Sequence, residues 1–331
     1  MIPIRVSVVL VSGYGCRKDQ SRSWGNRIVA AGIALLATVG LAGCGANSLG
    51  TNTTVPPGII AAVGAESQYA DVISQIGGQY VSVQAVMSNP NTDPHTYEAS
   101  TAVARQIAQA QLIVQNGLGY DDFMTQLEKS APNPARTVIT AQSVLGLPDS
   151  TPNPHLWYKP ETMPAVAQAI ADALSAIQPD HASYFQANLA TFTTAMTTWQ
   201  NTISQASTTL AGQSAAVTEP VGDYLIQALG LTIKTPWSLE QATMNGTDLS
   251  PQDAAAQDAL LAGKQVALLC YNQQVTDPST TEFLQRARAA GVPVVAVYEI
   301  MPTGYTYQQW MNAEVQAIVN AVTNGTSTEQ L

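Results

Sequence analysis

Cysteine is too scarce in this chain to build a disulfide framework. There are three, Cys16, Cys44 and Cys270. Cys270 lies inside the apolar run 266–271, where a lone thiol packs as a small hydrophobe. Basic side chains are scarce too, 13 against 23 acids, which argues against a nucleic-acid partner and against electrostatic attachment to a membrane surface. No Gly-Lys-Ser/Thr phosphate loop and no Gly-x-Ser-x-Gly elbow occurs. Gly117-Leu118-Gly119 begins a dinucleotide fingerprint, but Asp122 stands where the third glycine is required. Glycine and proline are both missing from 180–211, so nothing there interrupts a helix. Histidine is limited to His95, His155 and His181.

Long apolar runs are also rare. The uncharged stretch 28–41 is preceded by Arg17, Lys18, Arg22 and Arg27 and ends in Leu41-Ala42-Gly43-Cys44. A basic head, a short apolar segment and small residues before a cut describe an export signal over 1–43 rather than a membrane span. Leu-Ala-Gly-Cys resembles the bacterial lipobox, which makes Cys44 the expected lipid-modified first residue of the mature chain. Residues 1–20 exceed what a signal needs, which points to a start further in. Without residues 1–43 the chain keeps 8 basic and 22 acidic side chains, a balance suited to accumulating cations. Residues 44–58, rich in Asn, Thr, Ser, Gly and Pro, read as a flexible tether.

The remainder, with 46% hydrophobic residues over the whole chain, can bury a large core in about two domains. Short apolar runs at 59–63, 81–87, 112–114 and 137–139 alternate with helical spacing such as 102–110. The alternation predicts a first α/β lobe over 59–178 with a mostly parallel sheet. Runs at 215–217, 266–271 and 292–298 predict a second lobe over 212–331. Its helices are announced by Ser250-Pro251-Gln252-Asp253 and Asp277-Pro278, and Gly291 closes the latter. Between the lobes, Phe185, Leu189, Phe192, Met196, Trp199, Ile203, Ala206 and Leu210 form one stripe on a single linking helix over 179–211. A dimeric coiled coil is the rival, but the flanking positions carry Thr, Gln and Ala rather than paired charges. A spine under both lobes of a monomer is the expectation.

Two of the three histidines follow an Asx-Pro pair, Asp93-Pro94-His95 and Asn153-Pro154-His155. The proline stiffens the loop and holds the preceding residue extended, as a metal ligand requires. His181 falls in the first turn of the long helix, where a polar residue is expected on any account. Glu219 follows the run 215–217, and Glu299 follows 292–298. Ligands gather outside the carboxyl ends of strands in open α/β sheets, so both acids are placed to meet a ligand. Trp157, Tyr158, Trp237 and Trp310 line a cleft or fill the core.

Gly64-Ala65-Glu66 leading to Ile76-Gly77-Gly78, Asn91-Thr92-Asp93-Pro94-His95-Thr96-Tyr97-Glu98, Asn116-Gly117-Leu118-Gly119-Tyr120 and Asn153-Pro154-His155-Leu156-Trp157 recur in one known family. So do Tyr271-Asn272-Gln273-Gln274-Val275 and Glu299-Ile300-Met301-Pro302-Thr303-Gly304. From Ile59 onward the chain resembles the metal-binding receptor lipoproteins of bacterial ABC importers for zinc and manganese. The resemblance implies two α/β lobes joined by one long helix, and one divalent ion held by four side chains in the cleft between lobes. By position these are His95, His155, Glu219 and, where many members carry aspartate, Glu299; Met301 near that place cannot serve a hard cation. It further implies an ABC permease and its ATPase subunit as partners, a site outside the cell membrane, and no enzymatic turnover. The His-rich loop of many zinc receptors is absent.

Two neutral imidazoles and two carboxylates neutralise a divalent ion and suit zinc, manganese or iron. The Irving–Williams order favours zinc, while carboxylate oxygens make manganese more acceptable. A surface metal-dependent hydrolase is an alternative reading, though no spare acid or imidazole stands in a metalloenzyme motif. An adhesin on the same fold is another.

Overall fold

The structure, a computed structural model, describes residues 55–89, 97 and 100–331. The expected signal over 1–43, Cys44 and the loop carrying His95 lie outside the described residues. The elements run β1 (Ile60–Glu66), α1 (Ser67–Gly77), β2 (Val81–Met87), α2 (Thr101–Gln109), β3 (Leu112–Gln115), α3 (Asp122–Ser130), β4 (Thr137–Thr140), α4 (Ala141–Val144) and α5 (Thr162–Ile177). They continue as α6 (Ala182–Leu210), β5 (Ser214–Val217), α7 (Asp223–Ala228), β6 (Thr232–Ile233), α8 (Trp237–Met244), α9 (Pro251–Ala262), β7 (Leu268–Asn272), α10 (Pro278–Ala290), β8 (Val294–Val297) and α11 (Tyr307–Asn324).

Among the described residues the strands form two four-stranded parallel sheets, ordered β2-β1-β3-β4 and β6-β5-β7-β8. The second sheet repeats the order of the first. Helices cover both faces, so β3, β7 and β8 are buried along their whole length, and their uninterrupted apolar runs follow from that. In each sheet the chain crosses over to one side of the first strand and then to the other. The carboxyl ends of β1 and β3, and of β5 and β7, are therefore the points where ligands gather.

The helix signals act as the sequence implied. Ser250 accepts from Asp253 N at 3.1 Å at the start of α9. Asp277 and Thr280 form a reciprocal capping box on α10, and Gly291, at φ 70°, closes that helix. The strand expected at 59–63 runs on to Glu66, which brings an acid to its end. Gly64 permits this return of the chain: a Cβ there would lie 2.4 Å from the backbone nitrogen of Ala70.

The glycine-free segment opens with a tight turn at Pro179–His181 and continues as α6, 29 residues or about 43 Å long. Its stripe of Phe185, Leu189, Phe192, Met196, Trp199, Ile203 and Leu210 is buried. It packs against α1 and α5 of the first half and α7 and α11 of the second. One continuous hydrophobic core thus runs beneath both sheets. His181 stacks on Tyr80 with ring centroids 3.8 Å apart, a packing role. Trp157, Tyr158 and Trp310 belong to the core, and Trp237 is exposed. Among the described residues no helix is long and apolar enough to cross a membrane.

Candidate functional site

Glu219 and Glu299 come from the ends of two different strands and are both buried. Glu219 follows β5 in extended backbone, φ −163° and ψ 170°, and Glu299 follows β8. Asn272, the last residue of β7, stands between them. Its amide nitrogen donates to Glu219 Oε1 at 2.7 Å and to Glu299 Oε1 at 2.8 Å. One neutral side chain thereby holds two buried carboxylates in fixed orientation. Asn272 is itself fixed, because its Oδ1 accepts from Gln274 N at 2.9 Å and its backbone N–H donates to Thr218 Oγ1 at 3.1 Å. Gln274 clamps the turn after β8, its Oε1 accepting from Glu299 N at 2.6 Å and from Ile300 N at 2.8 Å.

His155 arrives from the first half of the chain, fully buried, and its proton can be placed by elimination. Asn153 Nδ2 donates to the carbonyl of Pro220 at 2.8 Å, so Asn153 Oδ1 is the acceptor end of the amide. That oxygen lies 2.8 Å from His155 Nδ1 and also accepts from His155 N. Nδ1 therefore carries a hydrogen, and in the neutral ring Nε2 is the nitrogen that offers a lone pair. Nε2 is buried without a hydrogen-bond partner, 3.7 Å from Glu299 Oε2. A buried imidazole lone pair facing a carboxylate oxygen is the arrangement a cation completes.

The loop Asn116-Gly117-Leu118-Gly119 follows β3 and places Tyr120 on the same carboxylate. Gly117, Leu118 and Gly119 all have positive φ, 86°, 57° and 80°, which glycine adopts freely on either side of the single strained leucine. Asp121 fastens the loop by accepting from the backbone nitrogens of Asn116 and Gly117. Burial raises its pKa to about 6 against those hydrogen bonds. Tyr120 OH donates to Glu299 Oε2 at 2.9 Å. Burial, then the charge of Glu299, pushes its own pKa well up, so the donor proton stays in place. Gln68, just after β1, adds a bond from its Nε2 to Glu299 O at 3.0 Å.

Glu66 ends β1 in the same neighbourhood. It is fully buried, and neither carboxylate oxygen accepts a hydrogen bond from another residue. Burial, followed by the charge of Asp121 and more weakly that of Glu299, raises its pKa well above the usual range.

Of the four side chains expected to hold a metal, the described residues place His155, Glu219 and Glu299 in one buried cluster, joined through Asn272 and the His155–Glu299 approach. His95 lies outside the described residues. Among the described residues no group of three or more His, Cys, Asp or Glu side chains is placed to hold a metal ion. Met301 packs against the core. The functional part of Asn272, Asn153, Tyr120 and Gln274 was not assigned from sequence, although all four stand in motifs noticed there. A polar residue closing an apolar strand, as Asn272 does, is the signal that marks such a position.

Both halves also meet directly around this cluster. Tyr224 OH donates to Asn153 O at 2.9 Å, and Tyr158 OH donates to Glu314 Oε1 at 3.0 Å. Tyr307 N donates to Asp71 Oδ2 at 2.9 Å.

The family model described as ZnuA, zinc-uptake complex component A, periplasmic, matches residues 63–321. The manganese-binding lipoprotein MntA of Bacillus subtilis (strain 168) is 28% identical over 160 residues, 46% of this chain and 51% of that protein. The manganese ABC transporter substrate-binding lipoprotein PsaA of Streptococcus pneumoniae is 25% identical over 226 residues, 64% of this chain and 71% of that protein. The chain thus spans about half the length of the first curated relatives it matches, 51% and 54%. Among solved structures, that of ZnuA superposes with a TM-score of 0.66 at 22% identity, covering 80% of this chain and 100% of that one. The periplasmic zinc-binding protein TroA from Treponema pallidum gives 0.67 at 18% identity, covering 80% and 99%. At these identities the superpositions establish the fold, two parallel sheets flanked by helices and joined by one long helix. With a family match that takes in nearly all of the described residues, the chain belongs to the ZnuA family.

Proposed function

We propose that the protein is the extracytoplasmic receptor of an ABC importer, taking up one divalent transition metal ion as cargo and passing it to a membrane permease driven by an ATPase subunit. The ion lies between the two lobes, held by His95, His155, Glu219 and Glu299, and Cys44 carries the lipid that keeps the receptor at the outer face of the membrane. The protein acts as a monomer and turns nothing over. The observation that carries this reading is His155 Nε2, buried with no hydrogen bond and turned toward Glu299 Oε2 at 3.7 Å. Asn153 fixes the tautomer that leaves this nitrogen free to bind a metal.

Two neutral imidazoles and two carboxylates match the charge of M²⁺, and zinc wins the simple contest of affinities over manganese and iron. Protons compete for the same lone pairs, so binding is lost below about pH 5. Metal analysis of protein purified without added metal, followed by calorimetric titration of the stripped protein, tests the reading. The wild type should take up one ion per chain. His155→Ala should weaken binding by more than about a hundredfold, beyond the range of about 10–100-fold seen when only an outer partner of a ligand is lost. Unchanged binding in His155→Ala would remove the basis of the proposal.

A further inference from the structure

By sequence the segment 153–158 belongs to the first half, between α4 and α5, yet its side chains and carbonyls are bonded into the second. Asn153 Nδ2 donates to Pro220 O at 2.8 Å, and Asn153 O accepts from Tyr224 OH on α7 at 2.9 Å. Trp157 O accepts from Tyr307 OH at the start of α11 at 2.5 Å. Tyr158 OH accepts from Tyr298 N, just after β8, at 3.0 Å and donates to Glu314 Oε1 on α11 at 3.0 Å. In the other direction, among the described residues, one direct hydrogen bond ties the segment to the end of the first sheet, from Asn116 Nδ2 to Pro154 O at 2.8 Å. Leu156, Trp157 and Tyr158 are fully buried, so water cannot replace the bonds they make. The chain on either side is looser: Pro148, Asp149, Ser150 and Pro152 are exposed, and Lys159 and Pro160 are half-buried.

Glu314 is the point where these contacts converge. It is fully buried and takes a second bond from Trp310 Nε1 at 3.0 Å, and the Trp310 ring meets Tyr158 edge-on at 5.5 Å between centroids. Burial raises its pKa to about 8 against both bonds, which keeps it a neutral acid at pH 7.

We infer that the segment 153–158 is anchored as part of the second half, with Glu314 as the positioning residue that holds it there through Tyr158, and that the flanking stretches 148–152 and 159–161 are the hinges between it and the first sheet. His155 and Glu299 then form one body, and their approach of 3.7 Å persists when the first sheet moves. What such a movement breaks is the pair of bonds that reach Glu299 from the first sheet, Tyr120 OH to Oε2 and Gln68 Nε2 to the carbonyl. Hinges of this kind are a few loop residues beside rigid elements. No metal enters this arrangement, which therefore stands or falls apart from the receptor reading.

The test is amide hydrogen exchange on the full metal-free chain at pH 7. The amides of His155, Leu156 and Tyr158 are bonded within the segment, to Asn153 Oδ1, Pro154 O and His155 O, so their exchange reports its release. The quantity read is their exchange rate relative to that of β1 and β3, which removes any general loss of stability. Glu314→Leu strands the Tyr158 hydroxyl proton and should raise this ratio by about tenfold or more. Glu314→Gln should return it to within about threefold of the wild type, since an amide oxygen still accepts from Tyr158 and Trp310. Asn116→Ala, which cuts the tie to the first sheet, should raise it by less than Glu314→Leu does. A ratio unchanged in Glu314→Leu would overturn the inference, because the segment would be held without its anchor. So would a larger release in Asn116→Ala than in Glu314→Leu, which would place the segment with the first sheet, or a failure of Glu314→Gln to restore the ratio. Should Glu314→Leu fail to fold, Tyr158→Phe removes the same bond by deleting one oxygen and is judged by the same comparison with Asn116→Ala.

Discussion

The two sheets are built to one plan and wired differently. Each carries an acid at the end of its central strand and an asparagine at the end of the next, yet Asn272 donates to two carboxylates and Asn116 to two backbone carbonyls. The second half consequently presents Glu219 and Glu299 as oriented acceptors. The first half presents a lone pair on His155 and a carboxylate on Glu66 that no protein donor meets. Strand order thus determines where chemistry can gather, while the individual amide bonds determine which groups are left for a cation. A third arrangement sharpens the contrast. Asp223 on α7 and Glu240 on α8 are both buried acids, and the charge of Asp223 bears on Glu240. That pair is relieved by a proton.

The largest break in the comparison comes from removing the shared donor. Asn272→Leu keeps the approximate shape of the side chain and leaves Glu219 Oε1 and Glu299 Oε1 without their common partner. Each hydrogen bond lost to a buried charged acceptor costs about 1.5–3 kcal/mol, so the metal-free protein should lose about 3 kcal/mol or more in denaturant unfolding. Saturating metal should restore part of that loss, since the ion takes over the role of the amide in holding the two acids. If metal-free stability is unchanged, the two carboxylates are held apart by something other than Asn272.

A smaller effect is expected on the histidine side. Asn153→Ala removes the acceptor of the His155 Nδ1 hydrogen and a tie to Pro220 O. Loss of such an outer partner weakens metal binding by about 10–100-fold. The low end applies here, because Tyr120 and Trp157 still pack edge-on against the imidazole at 5.8 and 5.3 Å between centroids. Titration calorimetry at one pH measures it. An unaltered affinity would mean that the ring keeps its tautomer and orientation without Asn153.

Much of this was legible in the sequence, and the limits follow from physics. Fully buried strands such as Val294–Val297 are unbroken apolar runs, and the stripe on α6 repeats over about seven turns, so strand, spine and covered sheet could be read directly. The two-residue strand Thr232–Ile233 carries no such pattern, because two residues have no periodicity. At the site, Asx-Pro-His and acids after apolar runs marked candidate ligands through local stiffness and strand-end placement. The bond from Asn272 to both acids joins residues 53 and 27 positions apart, a distance no local signal spans. Glu66 was visible as part of a motif, but an acid at a strand end looks the same in sequence whether water or protein covers it. Its burial depends on α1 folding back over Gly64, which only the assembled chain displays.

The smallest effect concerns the pair that a proton relieves. Burial raises Asp223 and Glu240 above the usual carboxylate range, and Glu240 rises further because Asp223 faces it. The folded chain then holds a proton at pH values where the unfolded chain has released it. The stabilisation from that proton is full below the unfolded value of about 4, and it fades as pH rises through the raised folded values. Glu314, buried and raised to about 8, and Asp121, raised to about 6, act in the same direction. Metal-free protein should accordingly melt higher at pH 5 than at pH 8, opposite to the pH dependence of metal binding. Glu240→Gln replaces the shared proton with an amide that can donate to Asp223, as Asn272 donates to Glu219. It should flatten the melting curve between pH 5 and pH 8 without abolishing its slope, adding about 1 kcal/mol at pH 8. Metal affinity should stay within twofold, since neither acid is among the proposed ligands. An unchanged slope would show that the two acids do not share a proton, and the second half of the chain would then rely on amide donors alone.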